Sequence, residues 1–516
     1  MDQILILDFG SQTTQLIGRR IRELGVFSQI LPGDTPLTPA LLREVKGIVL
    51  SGSPESVYDE DAPRPDAALY DLELPLLGIC YGLQRMMQDR GGRVTPHSKK
   101  EYGRAKVFIK QESPLLEGVP DGFVSWMSHG DTIEALAPGF AVTAQTENGI
   151  PAVVKHEEKP VFGLQFHPEV THCEHGMDIL RNFSVGICGA RREWDVDAYL
   201  RAGVQEIKNR VSGQKVLLLI SGGVDSSVAA GLLLEALDPD QVHLMYIDTG
   251  LMRKDESREV EKSLAKLGAA HIHHIKAAED FLTPLSGVAD PEEKRRIIGD
   301  MFISVQEREI GMLGIPDAFL AQGTLYTDMI ESGKGVGGKA HVIKSHHNVR
   351  SPLVEAKREK GLVVEPLAML YKDEVRRLGR RLGLSPDIIG RHPFPGPGLA
   401  VRILGEITEE KLRVLKEADY IYISELKKRG LYDKIWQAFC VLLPLRSVGV
   451  SGDMRRYGYV LALRAVVSHD GMTADVFPFP SGDLLEISAV ITNSVKEVGR
   501  VVYDISSKPP ATIEWE

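Results

Sequence analysis

A chain of 516 residues has room for about three domains of ~150 residues each. Charged residues at 26% and hydrophobic ones at 43% are ordinary for a globular protein, and a formal net charge of −10 argues against nonspecific nucleic-acid binding, which leans on clustered Lys and Arg. No stretch reaches the ~18 uninterrupted apolar residues of a membrane span, and "MDQILILDFG" lacks the basic flank of a signal peptide.

Four cysteines (Cys80, Cys173, Cys188, Cys440) form no CxxC pair, so a disulfide framework or zinc site is not expected and a reducing cytoplasm is. Residues 1–188 begin with the strand "ILILDFG" and alternate apolar runs ("GIVLSG", "LPLLGIC", "AVVKH", "VFGLQF") with helical ones, which predicts an α/β domain on a mostly parallel sheet. Residues 189–213 read as a charged, helical connection. A second α/β domain opens at Val216 and continues through "VHLMYIDTG" and "AFLAQGTLY" to about residue 392. Proline and glycine in "RHPFPGPGL" mark the next boundary. Residues 393–516 read as a smaller α+β domain with the alternating strand "YGYVLALRAVVS".

The segment "PLLGICYGLQ" sets Cys80 after an apolar strand, with Gly78 and Gly82 two residues to either side. Such spacing permits the sharp strand-to-helix turn of a nucleophile elbow, and a helix start beside the sulfur favours thiolate. "VFGLQFHPEV" brings His167 and Glu169 two residues apart, on one face of an extended chain, where Glu169 can orient His167 as base toward Cys80. These residues resemble class I glutamine amidotransferases, whose GxCxGxQ and HPE signatures stand here at Gly78–Gln84 and His167–Glu169. The resemblance covers about residues 1–188 and implies hydrolysis of glutamine to glutamate and ammonia. It implies an oxyanion loop at "LSGSPESV" with Gly52 and Ser53, where Ser53 replaces the usual second glycine. Tyr81, Gln84, Ser128, His129 and Asp131 are implied at the oxyanion and glutamine site.

Further along, "VLLLISGGVDSSVAAGLLLEA" is a strand turning into a helix through Ser221, Gly222, Gly223, Val224, Asp225, Ser226 and Ser227. Glycines, hydroxyls and a helix N-terminus suit a phosphate. Asp225 would repel a bare phosphate, so it makes sense as a Mg²⁺ ligand or as an organiser of water. No lysine closes the loop, as GxxxxGK[ST] would. The heptapeptide resembles the loop of PP-loop ATP pyrophosphatases, which split ATP between the α and β phosphates. That resemblance implies ATP as co-substrate, and Ile247 and Asp248 of "YIDTGLMR" near the adenine.

The order of the two modules, with "DPEEKRRIIGDMF", "AQGTLYTDMIESG", "IKSHHNV", "RHPFPGPGLAVR" and "SKPPATIEWE", is similar along the whole chain to the glutamine-hydrolysing GMP synthetase family. It implies xanthosine monophosphate (XMP) as substrate, aminated at its C2 carbonyl through an adenylylated intermediate. It implies XMP contacts from Arg295, Gln437, Arg500, Lys508, Ile513 and Glu514, a lid at Lys344, His346 and His347, and a homodimer built by the third domain. Departures from the family pattern stand at Thr13, Thr327, Arg350 and Ser351. A tRNA-thiolating relative would call for extra cysteines and a basic surface, and a NAD-forming one for a different glutaminase; neither is seen.

Overall fold

The structure, a computed structural model, describes residues 1–331, 352–451, 454–468, 473–480 and 482–516. The described chain falls into two compact units, residues 1–199 with 325–331, and residues 200–324 with those from 352 onward. No described helix is long and apolar enough to cross a membrane.

The first unit is built on nine strands: β1 (Gln3–Asp8), β2 (Phe27–Pro32), β3 (Val45–Leu50), β4 (Leu76–Ile79), β5 (Arg93–Ile109), β6 (Phe123–Ala135), β7 (Phe140–Thr146), β8 (Pro151–His156) and β9 (Val161–Leu164). They lie in the order β2-β1-β3-β4-β9-β8-β7-β5-β6. The run β2-β1-β3-β4-β9 is parallel and the remainder antiparallel. Ile4, Leu5, Ile6 and Leu7 of β1 and all of β4 are buried, as expected of central parallel strands covered on both faces. β5 and β6 are polar at alternate positions, the pattern of a ribbon with one wet face. Residues 325–331 belong to this unit. The Tyr326 hydroxyl bonds to the backbone of Ile30, and its ring lies 5.1 Å from the Arg22 guanidinium.

In the second unit, β10 (Val216–Ile220), β11 (Val242–Asp248), β12 (His271–Lys276), β13 (Phe319–Ala321) and β14 (Val363–Val364) make an all-parallel sheet of order β12-β11-β10-β13-β14. The helix Val224–Ala236 after β10 is apolar nearly all round, because the helix Lys372–Arg381 packs on the side away from the sheet. A second sheet holds β15 (Gln437–Ser451), β16 (Met454–Val467), β17 (Asp475–Val476) and β18 (Val498–Tyr503). β16 pairs antiparallel with β15 and β17 and parallel with β18. One continuous core runs from Met245, Ile247 and Phe281 through Leu415 and Tyr422 to Cys440 and Leu461. The architecture is α/β on a mixed sheet in the first unit, α/β on an all-parallel sheet in the second, and α+β in the C-terminal part.

Candidate active sites

Cys80 follows the four buried residues of β4 and precedes the helix Tyr81–Asp89. Its φ of 51° lies in the left-handed region, which a non-glycine residue enters only at a cost of about 1–3 kcal/mol. The strain therefore sits on the cysteine itself. Gly78 and Gly82 serve a different purpose, since a Cβ at Gly78 would come within 2.6 Å of Leu83 N and one at Gly82 within 2.4 Å of Leu50 O. Tyr81 N–H is the first of the helix and has no carbonyl within it to bond. The Tyr81 side chain turns away, donating its hydroxyl to Pro63 O at 2.6 Å.

His167 Nδ1 lies 2.7 Å from Glu169 Oε1, and Glu169 is completely buried. Burial pulls His167 down, but the Glu169 carboxylate and the bond with Cys80 outweigh it and push the imidazole up to about 10. The pairing is thus geared to an imidazolium beside the sulfur. Because the folded value lies above the unfolded ~6.5, the pair's stabilisation is complete below about pH 6.5 and is lost as pH rises through about 10. NMR of the imidazole should find it protonated at pH 8, whereas a neutral ring at pH 7 would contradict this geometry. Thr13 Oγ1, where the family pattern has tyrosine, stands 3.5 Å from His167 Nδ1.

Gly52 packs against this histidine, 3.4 Å separating a Cβ built there from His167 Cε1. Ser53 is not among the described residues of positive φ, so serine replaces glycine there without backbone strain. Asp131 is clamped by the hydroxyls of Ser56 at 2.7 Å and Tyr58 at 2.8 Å, two residues that sequence reasoning missed. His129 Nδ1 lies 2.8 Å from Asp131 O, and Ser128 O lies 3.8 Å from Cys80 Sγ. Cys80, His167, Glu169, Gly52, Gln84, Ser128, His129 and Asp131 are thus held between one end of the parallel strands and the middle of β6.

In the second unit, Gly222 has φ +77° and Arg391 Nη1 donates to its carbonyl at 2.7 Å. The helix starts at Val224 with Gly223 as its cap residue. Ser226 and Ser227 hydroxyls both donate to Gly223 O, and Ser221 Oγ accepts from Gly223 N–H. The cation absent from the loop comes from the helix Lys372–Arg381: Lys372 Nζ lies 2.6 Å from each oxygen of Asp225. An ammonium and a carboxylate at the start of a helix can serve a polyphosphate and its cation. Among the described residues no group of three or more His, Cys, Asp or Glu holds a metal by itself. Lys372 occupies both Asp225 oxygens here, so the carboxylate would fit Mg²⁺ once Lys372 turned to a phosphate, since Mg²⁺ usually takes one or two carboxylates and completes its shell with phosphate oxygens and water. Ile247 is buried in the core, and Asp248 accepts from Gly250 N–H and the Ser257 hydroxyl.

The C-terminal "IEWE" is an anchored end. Glu514 receives a two-pronged contact from Arg402 at 2.8 and 3.1 Å, and Gln437 Nε2 donates to it at 2.8 Å. Lys294 Nζ bonds Glu516 Oε2 at 2.7 Å and two backbone carbonyls, and Arg464 donates to Ile513 O and Thr512 O. Lys294, Arg402 and Arg464 are fully buried cations that the sequence did not announce. Arg295 reaches Glu516 O at 2.5 Å, so Arg295, Gln437, Ile513 and Glu514 share one neighbourhood. Arg500 stands elsewhere, on β18, bonding Ser447, and Lys508 pairs its backbone with Ala474. Lys344, His346, His347, Arg350 and Ser351 lie outside the described residues, whereas Thr327 sits in the helix Tyr326–Glu331. Glu514→Ala should cost about 3–5 kcal/mol by leaving Arg402 buried without its counter-charge. Thermal melts should show the loss, with much of it recovered in the Arg402→Met/Glu514→Leu double variant.

Fold and geometry define a two-part class, an amidotransferase joined to a nucleotide-loop synthetase. Residues 5–187 match the class-I glutamine amidotransferase family, 201–304 the asparagine synthase family and 424–515 the GMP synthase C-terminal domain. The chain is 50% identical to a GMP synthase [glutamine-hydrolyzing] of Aquifex aeolicus over 99% of both chains. It is likewise 50% identical to one of Carboxydothermus hydrogenoformans over 100% of this chain and 99% of that one. It belongs to the glutamine-hydrolysing GMP synthase family.

Proposed function

We propose that this protein converts XMP, ATP, glutamine and water to GMP, AMP, pyrophosphate and glutamate. The observation that carries this reading is the strained Cys80 beside the His167–Glu169 pair, on one chain with the Ser221–Ser227 loop. Full-length relatives at about half identity support it.

In the first half-reaction Cys80 Sγ attacks the glutamine carboxamide carbon. The negative oxygen that forms takes N–H donors of the elbow and of the Gly52–Ser53 loop, since a fixed N–H pair stabilises charge as it develops. His167, already protonated, gives its proton to the departing nitrogen and then deprotonates the water that cleaves the thioester. Glu169 holds the ring by Nδ1 throughout. Asp131, with its carboxylate fixed by Ser56 and Tyr58, suits the α-ammonium of glutamine, alongside Ser128, His129 and Gln84.

In the second, the XMP carbonyl oxygen attacks the α phosphorus of ATP, pyrophosphate leaves, and ammonia then displaces AMP from C2. The start of the helix Val224–Ala236, the loop serines and Lys372 hold the departing pyrophosphate. Mg²⁺, held by Asp225, would neutralise phosphate charge there. Arg295, Gln437, Lys508, Ile513 and Glu514 are the residues we assign to XMP. Arg500 joins them as a phosphate contact by family resemblance, and Lys344, His346 and His347 as a lid. We assign residues 1–188, 189–392 and 393–516 to three domains, the last forming a homodimer. Exposed Leu445, Val448, Val450 and Tyr457 on β15 and β16 support that assignment, and a cytoplasmic location accords with the free cysteines. Incubation with XMP, Mg-ATP and glutamine should give GMP and AMP in step; glutamate release with no GMP would overturn the assignment.

A further inference from the structure

We infer that Gln165 is a further catalytic residue of the glutaminase reaction, an amide donor held against the Cys80 sulfur. The inference rests on the reading of Cys80 as nucleophile. β4 and β9 run parallel with Ile79 beside Leu164, so Cys80 and Gln165 are the next pair along. Cys80 N–H locks that register by donating to Leu164 O at 2.7 Å. Gln165 is 1% exposed, and its Nε2 lies 3.9 Å from Cys80 Sγ, within reach of a hydrogen bond to sulfur.

Which end of the carboxamide faces the sulfur follows from its neighbours. Gln84 Nε2 donates to Asp131 O at 3.2 Å, a carbonyl that can only accept, which fixes the nitrogen of Gln84 on that side. The same nitrogen donates to Gln165 Oε1 at 3.3 Å. Turning Gln165 over would set two NH₂ groups against each other and a carbonyl oxygen against the sulfur. The chain Asp131–Gln84–Gln165 therefore aims an N–H at Cys80. A hydrogen bond to a charged acceptor is stronger than one to a neutral acceptor, so the donor favours the thiolate over the thiol. It also ties the sulfur to Asp131, part of the glutamine-holding wall, and gives Gln84 an orienting task.

The test is alkylation of the full-length protein by iodoacetamide from pH 6 to pH 10, with glutaminase kcat and KM measured beside it. Gln165→Met should slow alkylation at pH 7 about tenfold, the worth of one hydrogen bond to a charged group. The deficit should narrow as pH rises, and kcat should fall with KM little changed. Gln165→Glu keeps the shape but replaces the donor with an acceptor, so its deficit at pH 7 should exceed that of Gln165→Met. Gln84→Met, which frees the amide to rotate, should give a smaller deficit of the same pH dependence and serves if the Gln165 variants do not fold. A pH-independent loss, or Gln165→Glu behaving better than Gln165→Met, would reduce Gln165 to packing and overturn the inference. A wild-type Cys80 inert toward both glutamine and iodoacetamide would instead bring down the nucleophile reading beneath it.

Discussion

Cys80→Ala should lower glutamine-supported GMP formation by about a thousandfold or more, while ammonium salts still support it. The covalent intermediate needs the sulfur, and no second free thiol can take its place. Cys173 is buried, and burial pushes its thiol up to about 12, while burial also raises the thiol of Cys188. The fourth, Cys440, lies in the core of the other unit. Alanine keeps the Cβ, so the backbone at φ 51° is no more strained than with cysteine and the fold should tolerate the change. Ammonium bypasses the first half-reaction altogether. Initial rates with glutamine and with ammonium chloride check this, and loss of both activities would show that the two chemistries are not separable.

Lys372→Met is expected to lower AMP and pyrophosphate formation about a hundredfold with either nitrogen source, the scale of losing one fixed positive donor at a phosphoryl-transfer site. Asp225→Asn should do at least as much. The two side chains are partly exposed, 45% and 29%, so neither change should cost much stability, and the effect should appear in catalysis. Cys80 alkylation should be unaffected in both variants. Pyrophosphate release and thiol labelling, measured on the same preparations, decide the matter. Wild-type ATP cleavage in Lys372→Met would leave the loop's positive charge to some other residue.

Lys372 also marks where the sequence stops being readable. It lies 147 residues from Asp225, inside "KDEVRRLGRR", a charged helical run that reads as a solvated face. Only the packing of that helix on Val224–Ala236 brings the pair together. The elbow cysteine and the His-Pro-Glu turn were legible because strand alternation and a helix start are local properties. The purpose of Gly78 and Gly82 was not, because it depends on how close Leu83 and Leu50 approach. The tail residues Ile513 and Glu514 could be singled out by resemblance, yet a free end gives no sign of Lys294, Arg402 and Arg464 waiting for it. Arg295 and Arg402 come to one place only because the helix Pro291–Leu313 lies against residues 398–402. Gln165 reads in "VFGLQF" only as part of a strand, since its significance lies in a neighbouring strand's register.

The most direct measurement gives the protein amide-¹⁵N glutamine, XMP and Mg-ATP in one reaction and follows all products together. The account predicts GMP, AMP and glutamate in equal amounts, pyrophosphate rather than phosphate, and the label in the exocyclic amine of GMP. Formation of ADP, or labelled ammonia with no matching guanylate, would contradict it.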